Sequence, residues 1–142
     1  AAVILKVVEG YASRRNASLT AARDEDPELY LTGLEALAKE FTGDAIGTEA
    51  KALADKEKAD PAFAKVRAGF KSLATQKKAL AGLLPCKACK AKSQKTASLS
   101  CETCKQSNAE ALADVKKALA GLQKKYEGTA AAAKAAELAS KL

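Results

Sequence analysis

Apolar residues recur at intervals of three and four along most of the chain, which is the spacing that places them on one face of an α-helix. In the middle of the chain, a helix running towards Pro85 is indicated by Phe63, Val66, Phe70, Leu73, Leu80 and Leu84. Towards the C-terminus, another long helix is indicated by Leu112, Val115, Leu119, Leu122 and Tyr126. The pattern predicts an all-α protein.

Proline and capping residues mark where several of these helices begin. Asp26-Pro27 and Asp60-Pro61 each combine an aspartate, which caps a helix N-terminus, with a proline suited to the first helical position. The segment Ser107-Asn108-Ala109-Glu110 has the pattern of a capping box and predicts the start of the helix to Tyr126. Together with the periodicity, these signals predict about six helices in antiparallel hairpins.

The first 23 residues leave a choice between a strand and a helix. Residues 3–8 are rich in β-branched side chains, which would suit a short strand. We favour a helix, because one helical face would carry Ile4, Val7, Val8, Tyr11 and Ala12.

An internal repeat is found when the chain is shifted by 85 positions. Without a gap, the shift superimposes Leu34 on Leu119, Leu37 on Leu122, Phe41 on Tyr126, Gly43 on Gly128, Ala50 on Ala135, Leu53 on Leu138 and Ala54 on Ala139. Both copies predict a helix, a glycine turn and a second helix, because a glycine can end a helix in a left-handed cap. Asp44 or Thr129 can then cap the helix that follows.

These two units resemble the degenerate tetratricopeptide-like repeats of bacterial envelope and scaffold proteins. The likeness covers residues 30–57 and 115–142, where an aromatic residue and a glycine precede an alanine-rich second helix. In such proteins, helix pairs form layers with concave surfaces suited to binding another protein. The resemblance therefore implies repeated helix-turn-helix units and a protein partner.

The composition fits a single helical domain over residues 1–142. Aromatic residues make up only 4% of the chain, and methionine, tryptophan and histidine are absent. Abundant alanine lets helices approach closely but buries little area per residue, which favours a thin helical layer. The lack of histidine, of a glycine-rich phosphate loop and of a serine nucleophile motif predicts a protein that is not an enzyme. No apolar stretch is long enough for a transmembrane segment.

Four cysteines form the candidate site. Cys86, Cys89, Cys101 and Cys104 make two C-x-x-C motifs on an 11-residue connector, which is just shorter than usual for a four-cysteine zinc site. Each motif can turn two thiolates towards one tetrahedral centre, and the polar connector is long enough to fold back. The spacing predicts one structural zinc ion with four cysteine ligands, in a loop insertion over residues 85–107.

The cysteine segment also resembles the C-x-x-C-x-G-x-G zinc modules of DnaJ-type chaperones. The likeness lies in residues 86–93 and 101–108, and the glycine positions of that pattern hold Ala91, Ser93, Gln106 and Asn108. In that family, paired modules hold zinc and contribute to handling unfolded proteins. The resemblance implies zinc as the cofactor.

Two other states of the cysteines stay open at this point. A helical hairpin could be stapled by two nested disulfides, Cys86 with Cys104 and Cys89 with Cys101, and no metal would then be bound. Alternatively, one C-x-x-C motif could be a redox-active thiol pair. No βαβ pattern is present to place such a pair at a helix N-terminus, as in thioredoxin-like proteins.

Basic residues concentrate around the cysteines. The chain carries a net charge of +7, and between residues 77 and 105 the only acidic residue is Glu102. Contacts to an anionic partner would be made by Lys87, Lys90, Lys92, Lys95 and Lys105. No aromatic residue lies among these lysines, which disfavours nucleic acid, because stacking on bases needs rings.

The sequence favours a non-enzymatic helical scaffold or protein-interaction module, such as a self-associating subunit of a larger envelope assembly. One alternative is a thiol-disulfide or redox-sensing protein. Another is a protein that binds nucleic acid or an anionic surface through the lysine-rich hairpin. The even number of cysteines and the lack of methionine lean towards an exported or cell-envelope bacterial protein.

Overall fold

A computed structural model describes the backbone of residues 2–142 and the side chains of residues 10, 11 and 13–142. Over these residues the chain forms eight helices and no β-strand. They are α1 (Ala2–Ala22), α2 (Pro27–Glu40), α3 (Ala45–Ala59), α4 (Pro61–Ala81), α5 (Lys87–Ala91), α6 (Glu102–Ser107), α7 (Ala109–Lys125) and α8 (Ala130–Ser140). The all-α class is confirmed. The number of helices exceeds the expected six because the predicted loop insertion contains the short helices α5 and α6.

The helices divide into two compact units, Ala1–Arg67 and Ala68–Leu142. Helix α4 runs through the boundary between them. Because one continuous helix belongs to both units, the prediction of a single domain over 1–142 stays a prediction.

The first unit is built around the hairpin of α2 and α3. Its core combines side chains from α1, α2, α3 and the start of α4: Leu19, Tyr30, Leu31, Leu34, Ala54 and Phe63. The rings of Tyr30 and Phe63 meet edge to face, with centroids 5.8 Å apart. Two aromatic rings therefore pack among leucine side chains and one alanine in this core.

An ion pair also joins the helices of this unit. The Arg23 guanidinium donates from Nε and Nη2 to the two carboxylate oxygens of Glu57, each at 2.8 Å, and lies over the Phe63 ring at 5.0 Å from its centroid. The Tyr30 hydroxyl donates to Glu57 Oε1 at 3.4 Å. The hydrogen bonds from Arg23 lower the pKa of the buried Glu57 carboxyl, against the opposing effect of burial. The network links the end of α1 to α2, α3 and α4.

The second unit is built around the hairpin of α7 and α8, packed on the C-terminal half of α4. Its core is formed by Leu73, Val115, Leu119, Leu122, Tyr126 and Ala135. Gly69 in α4 allows close approach to α8, because a Cβ atom at this position would lie 2.8 Å from the Cβ of Ala131. The apolar periodicity of α4 and α7 thus forms a packed face, as the sequence predicts.

The two sequence repeats have the same turn between their helices. Gly43 and Gly128 both adopt left-handed backbone conformations, with φ of 89° and 79°. The first helix of each pair ends at an equivalent aromatic C-cap, Phe41 or Tyr126. Equivalent positions in the two sequence copies therefore terminate their helices in the same way.

The capping of the second helices differs between the repeats. Thr129 Oγ1 accepts a hydrogen bond from the backbone N–H of Ala132 at 3.4 Å, at the start of α8. Asp44 is the N-cap of α3 but makes no capping hydrogen bond through its side chain. Of the two predicted caps, only that of Thr129 uses its side chain.

Of two predictions about the ends of the helical regions, one is confirmed and one is wrong. The helix over the N-terminal stretch is confirmed as α1, while the side chains of Ile4, Val7, Val8 and Ala12, which carried that prediction, lie outside the described residues. The placement of Leu84 on the packed face of α4 is wrong. Helix α4 ends at Ala81, and Leu84 beyond it is 74% exposed.

Candidate metal centre

The two C-x-x-C motifs occupy equivalent positions at the starts of α5 and α6. Cys86 and Cys101 are the N-caps of the two helices, and Cys89 and Cys104 are the third residues within them. An N-cap side chain and the side chain three residues later lie on the same side of a first helical turn. Each short helix therefore directs two sulfur atoms the same way.

The four sulfur atoms converge on one point. All four Sγ atoms lie within 4.8 Å of one another, with 3.8 Å between Cys86 and Cys101 and 3.5 Å between Cys89 and Cys104. Four sulfurs bound at about 2.3 Å to a tetrahedral zinc ion would lie about 3.8 Å from one another. The cluster can therefore hold a metal ion.

The cysteines form a small apolar core of their own. Cys86 and Cys89 are 8% exposed, Cys104 is 1% exposed, and the half-buried Ala97 and Cys101 pack against them. Burial shields three of the four cysteines from water, which is more typical of a closed structural site than of an open catalytic one.

Backbone hydrogen bonds distinguish the thiols electrostatically. The N–H of Cys86 donates to Cys104 Sγ at 3.3 Å, and this bond, helped by a second one from the backbone of Ser98, lowers the pKa of Cys104 to about 6. The hydrogen bond to Cys104, together with burial, raises the pKa of Cys89 to about 12. Of Cys89 and Cys104, it is therefore Cys104 that more readily carries a negative charge. A bound cation would stabilise the other cysteines as thiolates.

The arrangement differs from the nested disulfides considered from the sequence. All four cysteines are free thiols. The short distances join the two first cysteines, Cys86 and Cys101, and the two second cysteines, Cys89 and Cys104. The Sγ atoms of the nested pairs, Cys86 with Cys104 and Cys89 with Cys101, also lie within 4.8 Å of each other, but no disulfide joins them.

Hydrogen bonds from outside the motifs join the two arms of the hairpin. Asn108 Nδ2 donates to the carbonyl of Cys104 at 2.8 Å and to that of Leu84 at 3.0 Å. The N–H of Ala97 donates to the carbonyl of Leu83 at 2.9 Å. The capping box predicted at Ser107-Asn108-Ala109-Glu110 is wrong in its contacts. Helix α7 begins after Asn108, and the Ser107 hydroxyl donates to the carbonyl of Thr103 at 2.7 Å instead of capping α7. The bridging role of Asn108 could not be predicted, because an asparagine that caps a helix and one that joins two segments look alike in a sequence.

Helix α5 ends in a tight left-handed turn. Ser93 has a φ of 61°, its N–H donates to the carbonyl of Lys90 at 3.0 Å, and the N–H of Gln94 donates to that of Cys89 at 3.2 Å. These two bonds are those of a Schellman motif, in which glycine usually takes the left-handed position. Ser93 stands at one of the glycine positions of the DnaJ-type pattern.

The lysines singled out from the sequence lie around the cluster. Lys105 is partly buried and pairs with Glu102 at 3.3 Å. The others are exposed and have no acidic partner in the part of the chain that the structure describes: Lys87, Lys90, Lys92 and Lys95. Their contact with an anionic partner stays a prediction.

Comparison with known proteins identifies no relative. No family model, no curated protein and no solved structure matches the chain. Among the described residues, no helix combines the length and apolar character required to cross a bilayer.

Proposed function

We propose that this protein is a non-enzymatic helical scaffold or protein-interaction module whose cysteine hairpin binds one structural zinc ion. The observation that supports the metal most directly is the convergence of Cys86, Cys89, Cys101 and Cys104, with all Sγ atoms within 4.8 Å. A tetrahedral set of four thiolates is typical of zinc or of iron–sulfur chemistry. Four thiolates complete the coordination of a single zinc ion, so no position is left for a substrate.

The surroundings of the cluster support a doubly charged tetrathiolate centre. Zinc bound by four thiolates carries a net charge of about −2. The exposed side chains of Lys87, Lys90 and Lys92, in and just after α5, supply positive charge nearby. This charge partly offsets the electrostatic cost of holding the thiolates together.

The scaffold part of the proposal rests on the repeated hairpins. Helix pairs α2–α3 and α7–α8 pack closely, and each has a left-handed glycine at its turn. Their likeness to tetratricopeptide-like repeats favours a protein partner or further copies of this chain, as in an envelope assembly. Helical hairpins with small side chains in the second helix suit stacking, because such helices approach one another closely.

Metal titration tests the site. Cobalt(II) added to the reduced apo-protein should bind at one equivalent and give the visible absorption of a tetrahedral thiolate centre, and zinc should displace it. Cys101→Ser should abolish this spectrum, whereas Ser100→Ala, a neighbouring exposed change, should not. An unchanged cobalt spectrum in Cys101→Ser would reject the four-cysteine site. Iron–sulfur absorption in the purified protein would reject zinc.

Self-association tests the scaffold as an assembly subunit. Sedimentation velocity over a wide concentration range should show reversible oligomers of the metal-loaded chain. A chain that remains strictly monomeric at high concentration would contradict the assembly version.

A thiol-redox function is the second candidate, and solvent access weighs against it. Cys104 is 1% exposed, although its pKa is the lowered one. Rapid alkylation of the folded, metal-free protein would favour redox chemistry. Labelling that waits for denaturation would reject it.

A further inference from the structure

A cleft of about 470 Å³ lies beside the cysteine cluster. One side is formed by the segment that leads into the first C-x-x-C motif and the other by the turn that ends α5. The lining residues are Leu84, Pro85, Lys90, Ser93, Gln94 and Lys95. None of them is a candidate metal ligand, so the cleft is distinct from the metal centre.

The apolar side of the cleft is Leu84, which is 74% exposed. Its backbone is fixed nonetheless. The carbonyl of Leu84 accepts a hydrogen bond from Asn108 at 3.0 Å, and the carbonyl of the buried Leu83 accepts one from Ala97 at 2.9 Å. A single exposed leucine is ordinary on a protein surface. Leu84 differs from an ordinary exposed leucine because its backbone is fixed by a hydrogen bond and because it lines a concave site together with Pro85.

The other side of the cleft is cationic, and backbone hydrogen bonds fix its conformation too. The left-handed turn at Ser93 carries two backbone hydrogen bonds and connects Lys90 to Lys95. Both lysines are exposed, and neither has an acidic partner among the described residues. Glu102, the only acid between residues 77 and 105, pairs with Lys105 instead. The cleft therefore combines an apolar surface with uncompensated positive charge.

We propose that this cleft binds an acidic peptide segment, which places one aliphatic side chain against Leu84 and Pro85 and its carboxylates beside Lys90 and Lys95. The inference rests on the proposed function, because it names the chemistry of a protein partner for the same hairpin. Charge complementarity selects an acidic ligand, and the apolar side selects one with an aliphatic anchor. No aromatic residue lies between residues 71 and 125, so bases of a nucleic acid would find no ring to stack on.

The test uses the full metal-loaded chain and a fluorescein-labelled ten-residue peptide made of aspartate and glutamate with one central leucine. Its control carries serine in place of leucine. Fluorescence anisotropy should show the leucine peptide binding about tenfold more tightly, because burial of one leucine side chain is worth at least that ratio. Leu84→Ser should remove this preference, and the double change Lys90→Glu with Lys95→Glu should weaken binding about tenfold or more.

A matched double variant controls for net charge. Lys116→Glu with Lys117→Glu changes exposed lysines of α7 in the same unit and should leave leucine-peptide affinity within about twofold. Equal affinity for the two peptides, or an equal loss of affinity in both double variants, would overturn the proposal that the cleft binds the peptide. Only unspecific attraction between charges would then remain. Tighter binding of single-stranded DNA or of phosphatidylserine vesicles, insensitive to Leu84→Ser, would overturn it in favour of those partners.

Metal content measured on the same samples separates the two proposals. One zinc per chain without leucine-dependent binding rejects the cleft and leaves the zinc site intact. Leucine-dependent binding by a chain that takes up no metal rejects the zinc site and supports the cleft.

Discussion

The Sγ atoms of Cys89 and Cys104 lie 3.5 Å apart although 15 positions separate the two residues in the sequence. This proximity requires the connector to fold back and the two short helices to start side by side. Three of the four cysteines are buried, and the cluster is held by one hydrogen bond from the backbone N–H of Cys86 and by the Asn108 side chain. A hairpin without a large apolar core of its own is thereby organised around four sulfur atoms.

Asn108→Ala should weaken zinc binding about tenfold. Asn108 contacts no metal, but its amide joins the carbonyls of Cys104 and Leu84 and so fixes the two arms of the hairpin. Loss of groups that orient metal ligands typically costs about 10- to 100-fold in affinity. Competition with a chromophoric chelator measures the change. Ser107→Ala, which removes an exposed hydroxyl next in the chain, is the control, and an equal loss in both variants would refute the bridging role.

Ser93→Gly should stabilise the protein by about 0.5–1 kcal/mol. Ser93 has a φ of 61°, a conformation that a residue with a Cβ atom adopts at a cost and glycine adopts freely. The gain should be measurable in urea unfolding as a raised midpoint with an unchanged slope.

Gly43→Ala provides the converse test, because Gly43 has a φ of 89° and a side chain there should cost about 1–2 kcal/mol. Nothing lies within 4 Å of a Cβ built at this position, so the cost would come from the backbone alone. Stabilisation by Gly43→Ala would contradict the assigned turn.

Glu57→Gln should destabilise the first unit by about 1–2 kcal/mol at neutral pH. The variant keeps the shape of the side chain but removes the negative charge of the carboxylate, whose two oxygens accept hydrogen bonds from Arg23. A buried charged hydrogen bond justifies this magnitude, and the partial exposure of Arg23 keeps it at the lower end of the range.

The difference in the free energy of unfolding between wild type and Glu57→Gln should depend on pH. Arg23 lowers the pKa of Glu57 in the folded state, so the carboxylate contributes its full stabilisation above the ordinary glutamate pKa of about 4.3. This contribution is lost as pH falls through the lowered folded-state pKa. Urea unfolding at several pH values should therefore show the two proteins converging in acid. Glu49→Gln, at an exposed position, should have the same stability as wild type at every pH. A stability difference between wild type and Glu57→Gln that stays constant with pH would contradict the lowered pKa of Glu57.

The elements that depend on local spacing could be predicted from the sequence. The side chain of Asp26 accepts a hydrogen bond from the N–H of Leu29 at 3.0 Å, as expected of the cap before Pro27. The equivalent glycines, Gly43 and Gly128, form equivalent turns. The C-x-x-C spacing likewise identified the residues that converge, because the geometry of each motif is set within one helical turn.

Features that depend on distant contacts could not be predicted. Arg23 and Glu57 are 34 positions apart, and nothing in either local sequence distinguishes them from other surface charges. The helical period extended the face of α4 to Leu84, whereas the backbone after Ala81 leaves the helix and buries Leu83 instead. The pairing of cysteines between the motifs also depended on how two short helices meet.

The most direct test of the zinc hairpin is the intact mass of the freshly purified, unreduced chain, measured under native and then denaturing conditions. A hairpin that binds zinc should give a native mass higher by one zinc ion and, after denaturation, the mass of the chain with all four thiols free. A denatured mass lower by four hydrogens, with no metal in the native state, would establish two disulfides and rule out the zinc site.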